Sequence, residues 1–233
     1  MTHRLLRHPG GLHLSLMLVL TFSTGVIDAV GYLGLDRVFT GNMTGNVVIL
    51  AMALTGADGL PVDGPVVALA MFMLGALIAG RVLRLTPAGW SGRSTALFVA
   101  VGLLLAASAG AMLVLTQAQA DDARLAITGA LGLAMGVQAG AARHIGVKDV
   151  TTVVVTSTLA GLAFDSRFGH RVGQQWPRRL LAVVLIGAGA ATGAILLDVH
   201  FGLGMGLSAA LTLIVALLGH LGRPHPVDDA GGA

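Results

Sequence analysis

Eight apolar stretches, joined by short polar connections, make up most of the chain. They cover approximately residues 13–35, 40–56, 65–86, 94–117, 124–147, 150–165, 178–198 and 201–219. Several approach the roughly 20 residues that an α-helix needs to cross a bilayer. Because the stretches are continuous and rich in Leu, Ala and Val instead of alternating, they favour helices over a β-barrel.

The second and sixth stretches differ from the others, because each has only about 16 residues and opens with a polar cluster. The clusters are FTGNMTGN at 39–46 and VTTVVVTST at 150–158. A shift of the chain by 112 residues aligns three polar pairs and one proline pair: Thr40 with Thr152, Thr44 with Thr156, Asn46 with Thr158, and Pro65 with Pro177. The alignment predicts a two-fold internal repeat, with repeat 1 over about 13–117 and repeat 2 over about 124–219.

The positions of Lys and Arg distinguish two topologies. If all eight stretches cross the membrane, the repeats are parallel and the 14 basic residues divide into 8 inside and 6 outside. If the second and sixth stretches are re-entrant, the repeats are inverted and the division is 12 to 2. Cytoplasmic loops carry an excess of basic residues. The sequence therefore predicts an all-α polytopic membrane protein with six transmembrane helices plus two re-entrant half-helices in a 3+3 inverted repeat, and both termini cytoplasmic. Eight spans in a 4+4 parallel repeat are the alternative.

The composition agrees with a membrane location. Hydrophobic residues make up 55% of the chain and charged residues 11%, and the mean hydropathy is +0.85, whereas soluble domains carry about 25% charged residues. We expect one integral membrane domain over 1–222, whose first helix is retained and not cleaved as a signal peptide, and a disordered cytoplasmic tail over 223–233. The net charge of +3 is interpreted as loop charge that sets topology, not as a nucleic-acid surface. The absence of cysteine excludes disulfides and thiolate metal sites.

Asp28 is the most informative single residue, because it lies inside the first apolar stretch. A carboxylate at membrane depth costs about 2.5–3.5 kcal/mol on insertion scales. It is therefore a candidate for a proton relay, an ion site or a solute contact. The alternative is a neutral buried group or a local pair with Tyr32, one helical turn away. Gln138 places an amide at a similar depth in repeat 2.

A re-entrant segment implies a polar cavity, since irregular backbone at membrane depth must be buried in protein or face water. Asn42 or Thr44 is expected to cap the second helix, and Thr151 or Thr152 the sixth. Their positive ends would then meet near the midplane and favour an anionic or carbonyl-bearing guest, as in transporters with broken helices. The alternative role for these side chains is helix packing. The candidate pathway residues are Asp28, Tyr32, Thr40, Asn42, Thr44, Asn46, Gln138, Thr152, Thr156 and Thr158. Gly129, Gly132, Gly136 and Gly140 predict a close-packing face.

The stretch GVIDAVGYLGLDRVFTGNMTGNVV, residues 25–48, resembles the YoaK family of bacterial membrane proteins. The shared features are an Asp followed by a Tyr in the first helix, Asp28 and Tyr32, and then F-T-x-N-M-T-G-N at 39–46. The resemblance implies a multi-pass protein of the bacterial inner membrane, of a kind labelled a small-molecule transporter, with a second Thr-rich motif. That motif is TTVVVTSTLAG here, and Thr158 stands where the repeat places Asn46.

Three functions fit these features. The first is a transporter or facilitator of an unidentified small polar solute, with its site where the two repeats meet. The others are a passive channel of the same architecture and a membrane scaffold or partner subunit. We expect no enzyme, cofactor or bound metal, because the sequence has neither a nucleophile–base pair nor a metal-ligand spacing. The expected partners are the lipid bilayer and the solute, and homo-oligomerisation stays open.

Overall fold

Residues 9–146, 155–166, 169–170 and 176–223 are described in the computed structural model of the chain. They form the helices α1 (Pro9–Gly34), α2 (Met43–Leu54), α3 (Asp63–Leu83), α4 (Gly92–Val114), α5 (Gln117–Ile145), α6 (Val155–Phe164), α7 (Trp176–Val199) and α8 (Phe201–Leu221). Six of these helices are long and apolar enough to cross a membrane, and α2 and α6 are shorter. The prediction of an all-α polytopic membrane protein is confirmed. Thr151, Thr152 and the tail beyond Arg223 lie outside the described residues.

One helix begins well before its predicted apolar stretch. The fifth stretch was expected from about residue 124, after the polar pair Asp121-Asp122, but α5 begins at Gln117. Thr116 donates both its backbone N–H and its hydroxyl to the Gln119 Oε1 atom, over 3.0 and 2.9 Å. Because this contact satisfies a free donor at the helix start, the helix extends through the two aspartates.

The central helix of the bundle is α1, which is buried along most of its length, whereas α3 and α7 expose most of their surface to the lipid. Helix α7 packs beside α1 in the parallel direction. Gly189 lies against Phe22, and Gly193, one turn later, lies against Val26. From the first contact to the second, the residue numbers increase in both helices, so α1 and α7 run parallel.

Helices α3 and α5 pack in parallel in the same way. Gly132 lies against Ala68, and Gly136 lies against Phe72, where an added Cβ would overlap the Phe72 carbonyl. Gly129 and Gly140 also contact α3. The predicted close-packing face is confirmed, because these glycines allow two helix backbones to approach.

Helices α1, α4 and α8 complete the bundle, with α8 antiparallel to both others. At one end Leu12 of α1 contacts Gly222 after α8, and we call this the proximal end. At the other, Gly34 at the end of α1 contacts Phe201 at the start of α8, and we call this the distal end. The His144 Nε2 atom, near the end of α5, lies 3.0 Å from the Pro87 carbonyl oxygen after α3. The parallel pair α3 and α5 therefore both end on one side.

The segment that contains the short helix α2 begins and ends at the distal end of the bundle. Helix α1 ends at the distal end, and Gly64 at the start of α3 lies against Val38 in the loop that follows α1. With 12 residues at 1.5 Å each, α2 is about 18 Å long, shorter than the roughly 30 Å hydrocarbon core. The described part of α6 has 10 residues and packs against α7. The length and direction of α2 disfavour the alternative of eight spans.

Candidate functional site

The loop between α1 and α2 turns back along α1 toward the middle of the bundle. Asp36 and Arg37 begin the reversal with positive φ angles of 65° and 58°, a conformation that costs non-glycine residues roughly 1–2 kcal/mol each. A Cβ added at Gly41 would lie 3.0 Å from the Thr24 Cγ2 atom. Thr24 is ten residues before the end of α1, about 15 Å along the helix axis. The tip of the loop therefore reaches about half the depth of the bundle.

Asp28 holds this tip in place. Its Oδ1 atom accepts backbone N–H groups from Thr40 at 3.0 Å, Gly41 at 2.6 Å and Asn42 at 3.3 Å. Successive N–H groups that converge on one acceptor form an anion-binding concavity, and here the chain's own carboxyl group occupies it. Asp28 thus bonds to the backbone of this loop, whereas the sequence predicts Tyr32 as its alternative local partner.

Asn46 fastens the same loop from the side of α2. Its Oδ1 atom accepts the backbone N–H of Phe39 at 2.9 Å, and its Nδ2 atom donates to the Phe39 carbonyl at 2.6 Å. The side chain is fully buried. It satisfies both backbone groups of a residue in an irregular loop at membrane depth, where an unpaired backbone group out of contact with water is costly. Asn46 therefore supports the loop through the backbone of Phe39.

The first turn of α2 is capped by the chain itself. Asn42, one of the two caps that the sequence predicts, is the N-cap residue, and its Oδ1 atom accepts the N–H of Gly45 at 3.4 Å. The N–H of Met43 bonds to the Gly41 carbonyl at 3.2 Å. Internal acceptors therefore take the N–H groups of Met43 and Gly45, which weakens the case for an anionic guest at the start of α2.

Beside the loop lies a cavity of about 560 Å³, a size typical of small-molecule sites. Its walls come from α1, the loop, α2, the first two residues of α6 and the middle of α7. The lining residues are Thr24, Asp28, Tyr32, Phe39, Gly41, Asn42, Thr44, Gly45, Val48, Ile49, Val155, Thr156 and Ile186. Helix starts from both halves of the chain thus face one space at mid-depth.

The candidate pathway residues that the structure describes divide into those that line the cavity and those that do not. Asp28, Tyr32, Asn42, Thr44 and Thr156 line the cavity. Thr40, Asn46, Gln138 and Thr158 do not line it, and the first three of these are fully buried. The division follows from depth and direction along each helix, which residue spacing alone does not fix.

Gln138 lies behind the wall of the cavity. Its Nε2 atom donates to the Thr24 Oγ1 atom at 3.1 Å, and that hydroxyl donates to the Leu20 carbonyl at 2.9 Å. The Gln138 Oε1 atom is buried without a hydrogen-bond partner. Gln138, which the sequence predicts on the pathway, therefore connects α5 to Thr24 of α1, one of the residues that line the cavity.

Sequence reasoning missed an aromatic pair and a hydroxyl on the cavity wall. The rings of Tyr32 and Phe39 stack with their centroids 4.8 Å apart. Thr24 lies one turn before Asp28 and two turns before Tyr32 on the same face of α1. That i, i+4, i+8 spacing was the available signal. Within the described residues, no three His, Asp or Glu side chains come together as a metal site.

Comparisons with known proteins identify the family to which this chain is similar. The family model described as "Protein of unknown function (DUF1275)" matches residues 16–218. The UPF0700 transmembrane protein YoaK of Bacillus subtilis (strain 168) is 40% identical over 65 residues, which are 28% of this chain and 29% of that protein. The match therefore spans less than a third of this relative's length. No solved structure matches the chain.

Proposed function

The chain belongs to the DUF1275 family of YoaK-like membrane proteins, and we propose that it carries a small polar solute across the bacterial cytoplasmic membrane without catalysing a reaction. The observation that supports this proposal is the single cavity that the starts of α2 and α6 share at mid-depth. Broken helices that meet near the midplane form the solute site of many secondary transporters. A scaffold protein would be expected to pack the polar motif without such a space.

The directions of the helices support the inverted repeat on which transport would depend. The pair α1 and α7 and the pair α5 and α3 are both parallel. In the repeat, α1 corresponds to α5 and α3 corresponds to α7. Exchange of the two halves therefore turns one pair into the other. The polar clusters at 39–46 and 150–158 align in sequence under a shift of 112 positions. Rocking of one half against the other would open the shared cavity to each side in turn.

The charge distribution supports a cytoplasmic location for the proximal end. Twelve of the 14 Lys and Arg residues belong to the termini and connections on that side, as the positive-inside rule requires. Both termini are then cytoplasmic. Helix α2 enters from the outside of the membrane and α6 from the cytoplasm.

Reconstitution tests the proposal. The purified protein in liposomes is assayed with a panel of labelled polar solutes, together with the cavity-filling variants Thr44→Trp and Thr156→Trp. Thr55→Trp, at the exposed end of α2, is the matched control. We expect saturable flux of at least one solute that both filling variants abolish and the control retains. Flux at the rate of empty liposomes for every solute, or flux indifferent to both filling variants, would contradict the proposal.

A further inference from the structure

The cavity contains one charged side chain, and it is acidic. Of the described residues that line it, only Asp28 is ionisable at neutral pH, and none is Lys, Arg or His. Buried charges in proteins are paired or bound to an ion. The three N–H groups that reach Asp28 all bond to its Oδ1 atom. The Oδ2 atom accepts none of these three bonds, and Asp28 lies on the wall of the cavity.

The rest of the wall suits an apolar body more than a bare metal ion. Tyr32 and Phe39 present aromatic rings, and Val48, Ile49 and Ile186 present aliphatic side chains. An aromatic face attracts a cation within about 6 Å of its centroid. Calcium and magnesium require about six oxygen ligands, and the described lining offers one carboxylate and a few hydroxyl and amide groups.

The helix dipoles do not cancel this preference. Each helix start carries roughly half a positive charge. At α2 this charge is directed to internal acceptors, since Asn42 caps Gly45 and Asp28 holds the preceding loop. The start of α6 lies on the other wall of the cavity. A cation beside Asp28 therefore meets the carboxylate directly, on a wall that also includes Tyr32 and Phe39.

From this lining we propose that the cavity selects a small organic cation, whose ammonium group lies beside the Asp28 Oδ2 atom and whose alkyl body packs on Tyr32, Val48 and Ile186. This inference rests on the proposed transport function, because it names the class of solute that the shared cavity takes. Hydroxyl groups of Thr44 and Thr156 are placed to bond a polar substituent of the same molecule.

Three probes of nearly the same shape test the charge requirement. Choline carries a quaternary ammonium, 3,3-dimethylbutan-1-ol replaces its nitrogen by carbon, and betaine adds a carboxylate. Binding to the purified full chain is measured by equilibrium dialysis, and flux by uptake into liposomes. We expect choline to bind at least about tenfold more tightly than the neutral isostere, because the alcohol lacks the charge that attracts the Asp28 carboxylate and the aromatic rings. Equal binding of choline and the neutral alcohol, or tighter binding of betaine, would overturn the inference.

Asp28→Asn removes the charge and keeps an acceptor at Oδ1 for the three backbone N–H groups. Asp121→Asn, an exposed aspartate paired with Arg124, is the matched control. We expect Asp28→Asn to weaken choline binding about tenfold or more and to leave the neutral alcohol unaffected, while the control changes neither. Tyr32→Leu is expected to weaken choline binding and Tyr32→Phe to restore it. Unchanged choline binding in both Asp28→Asn and Tyr32→Leu would overturn the inference.

The two proposals fail in different ways. If other solutes cross the membrane and the Trp variants block them while choline neither binds nor crosses, the cation assignment is wrong and transport stands. If choline binds in an Asp28-dependent manner but no solute crosses, the site stands and transport is wrong.

Discussion

Asn46→Ala is expected to be among the most destabilising single changes in the polar motif. The side chain makes two hydrogen bonds to the backbone of Phe39, at 2.9 and 2.6 Å, in a fully buried position. Alanine leaves one N–H and one carbonyl group of Phe39 without a partner. Each buried unpaired group costs about 1–3 kcal/mol, so the folded state loses roughly 2–6 kcal/mol.

Asn42→Ala provides the comparison within the same motif. Asn42 is exposed and makes one long capping bond of 3.4 Å to Gly45, so its loss is expected to cost about 1 kcal/mol. Thermal unfolding of the detergent-solubilised protein, followed by fluorescence-detected size exclusion, ranks the variants. We expect Asn46→Ala to lower the melting temperature clearly more than Asn42→Ala. The reverse order would refute the assignment of Asn46 as the support of the loop.

Other predictions concern packing, the buried amide and topology. Gly136→Ala is expected to lower the melting temperature, because a Cβ there overlaps the backbone of α3, whereas Gly110→Ala, with open space around it, is expected to raise it slightly by about 0.5–1 kcal/mol of helix propensity; a similar effect at both sites would contradict the α3–α5 packing. Gln138→Met is expected to change stability by less than about 1 kcal/mol, because it removes one hydrogen bond together with an unpaired buried oxygen; a loss several times larger in the melting assay would show a role beyond this contact. Since the chain has no cysteine, Ala57→Cys is expected to react with an impermeant maleimide on intact cells and Ala88→Cys only after lysis, and the opposite pattern would reverse the orientation.

The membrane class and the positions of the helices follow from the sequence, because hydropathy and segment length are properties of the chain itself. The shortness of the second and sixth stretches and the bias of Lys and Arg indicated segments that do not cross. Capping by Asn42 was also predictable, since it needs only a local amide and a free N–H group three residues on.

The roles of individual polar residues were less predictable, because they depend on contacts between distant parts of the chain. Asp28 and the loop that it holds are 12 to 14 residues apart, and hydropathy does not indicate that a loop will fold back onto the preceding helix. Gln138 and Thr24 are 114 residues apart. The sequence predicts similar depths for these two residues along α5 and α1. The direction of the Gln138 side chain depends also on how α5 is rotated about its axis. Glycine packing against α3 sets this rotation and turns Gln138 away from the cavity.

The central claim is that the starts of α2 and α6 face one aqueous cavity at mid-depth, and cysteine cross-linking tests it most directly. A double variant combines Thr44→Cys and Thr156→Cys in one chain and is treated with a short, hydrophilic bifunctional thiol reagent. Leu77→Cys, on the exposed face of α3, serves as the lipid-facing control. We expect both cavity cysteines to react with the water-soluble reagent and the double variant to form an intramolecular cross-link. We expect Leu77→Cys to stay unlabelled. Cavity cysteines that do not react, or that react singly and never cross-link, would contradict the claim.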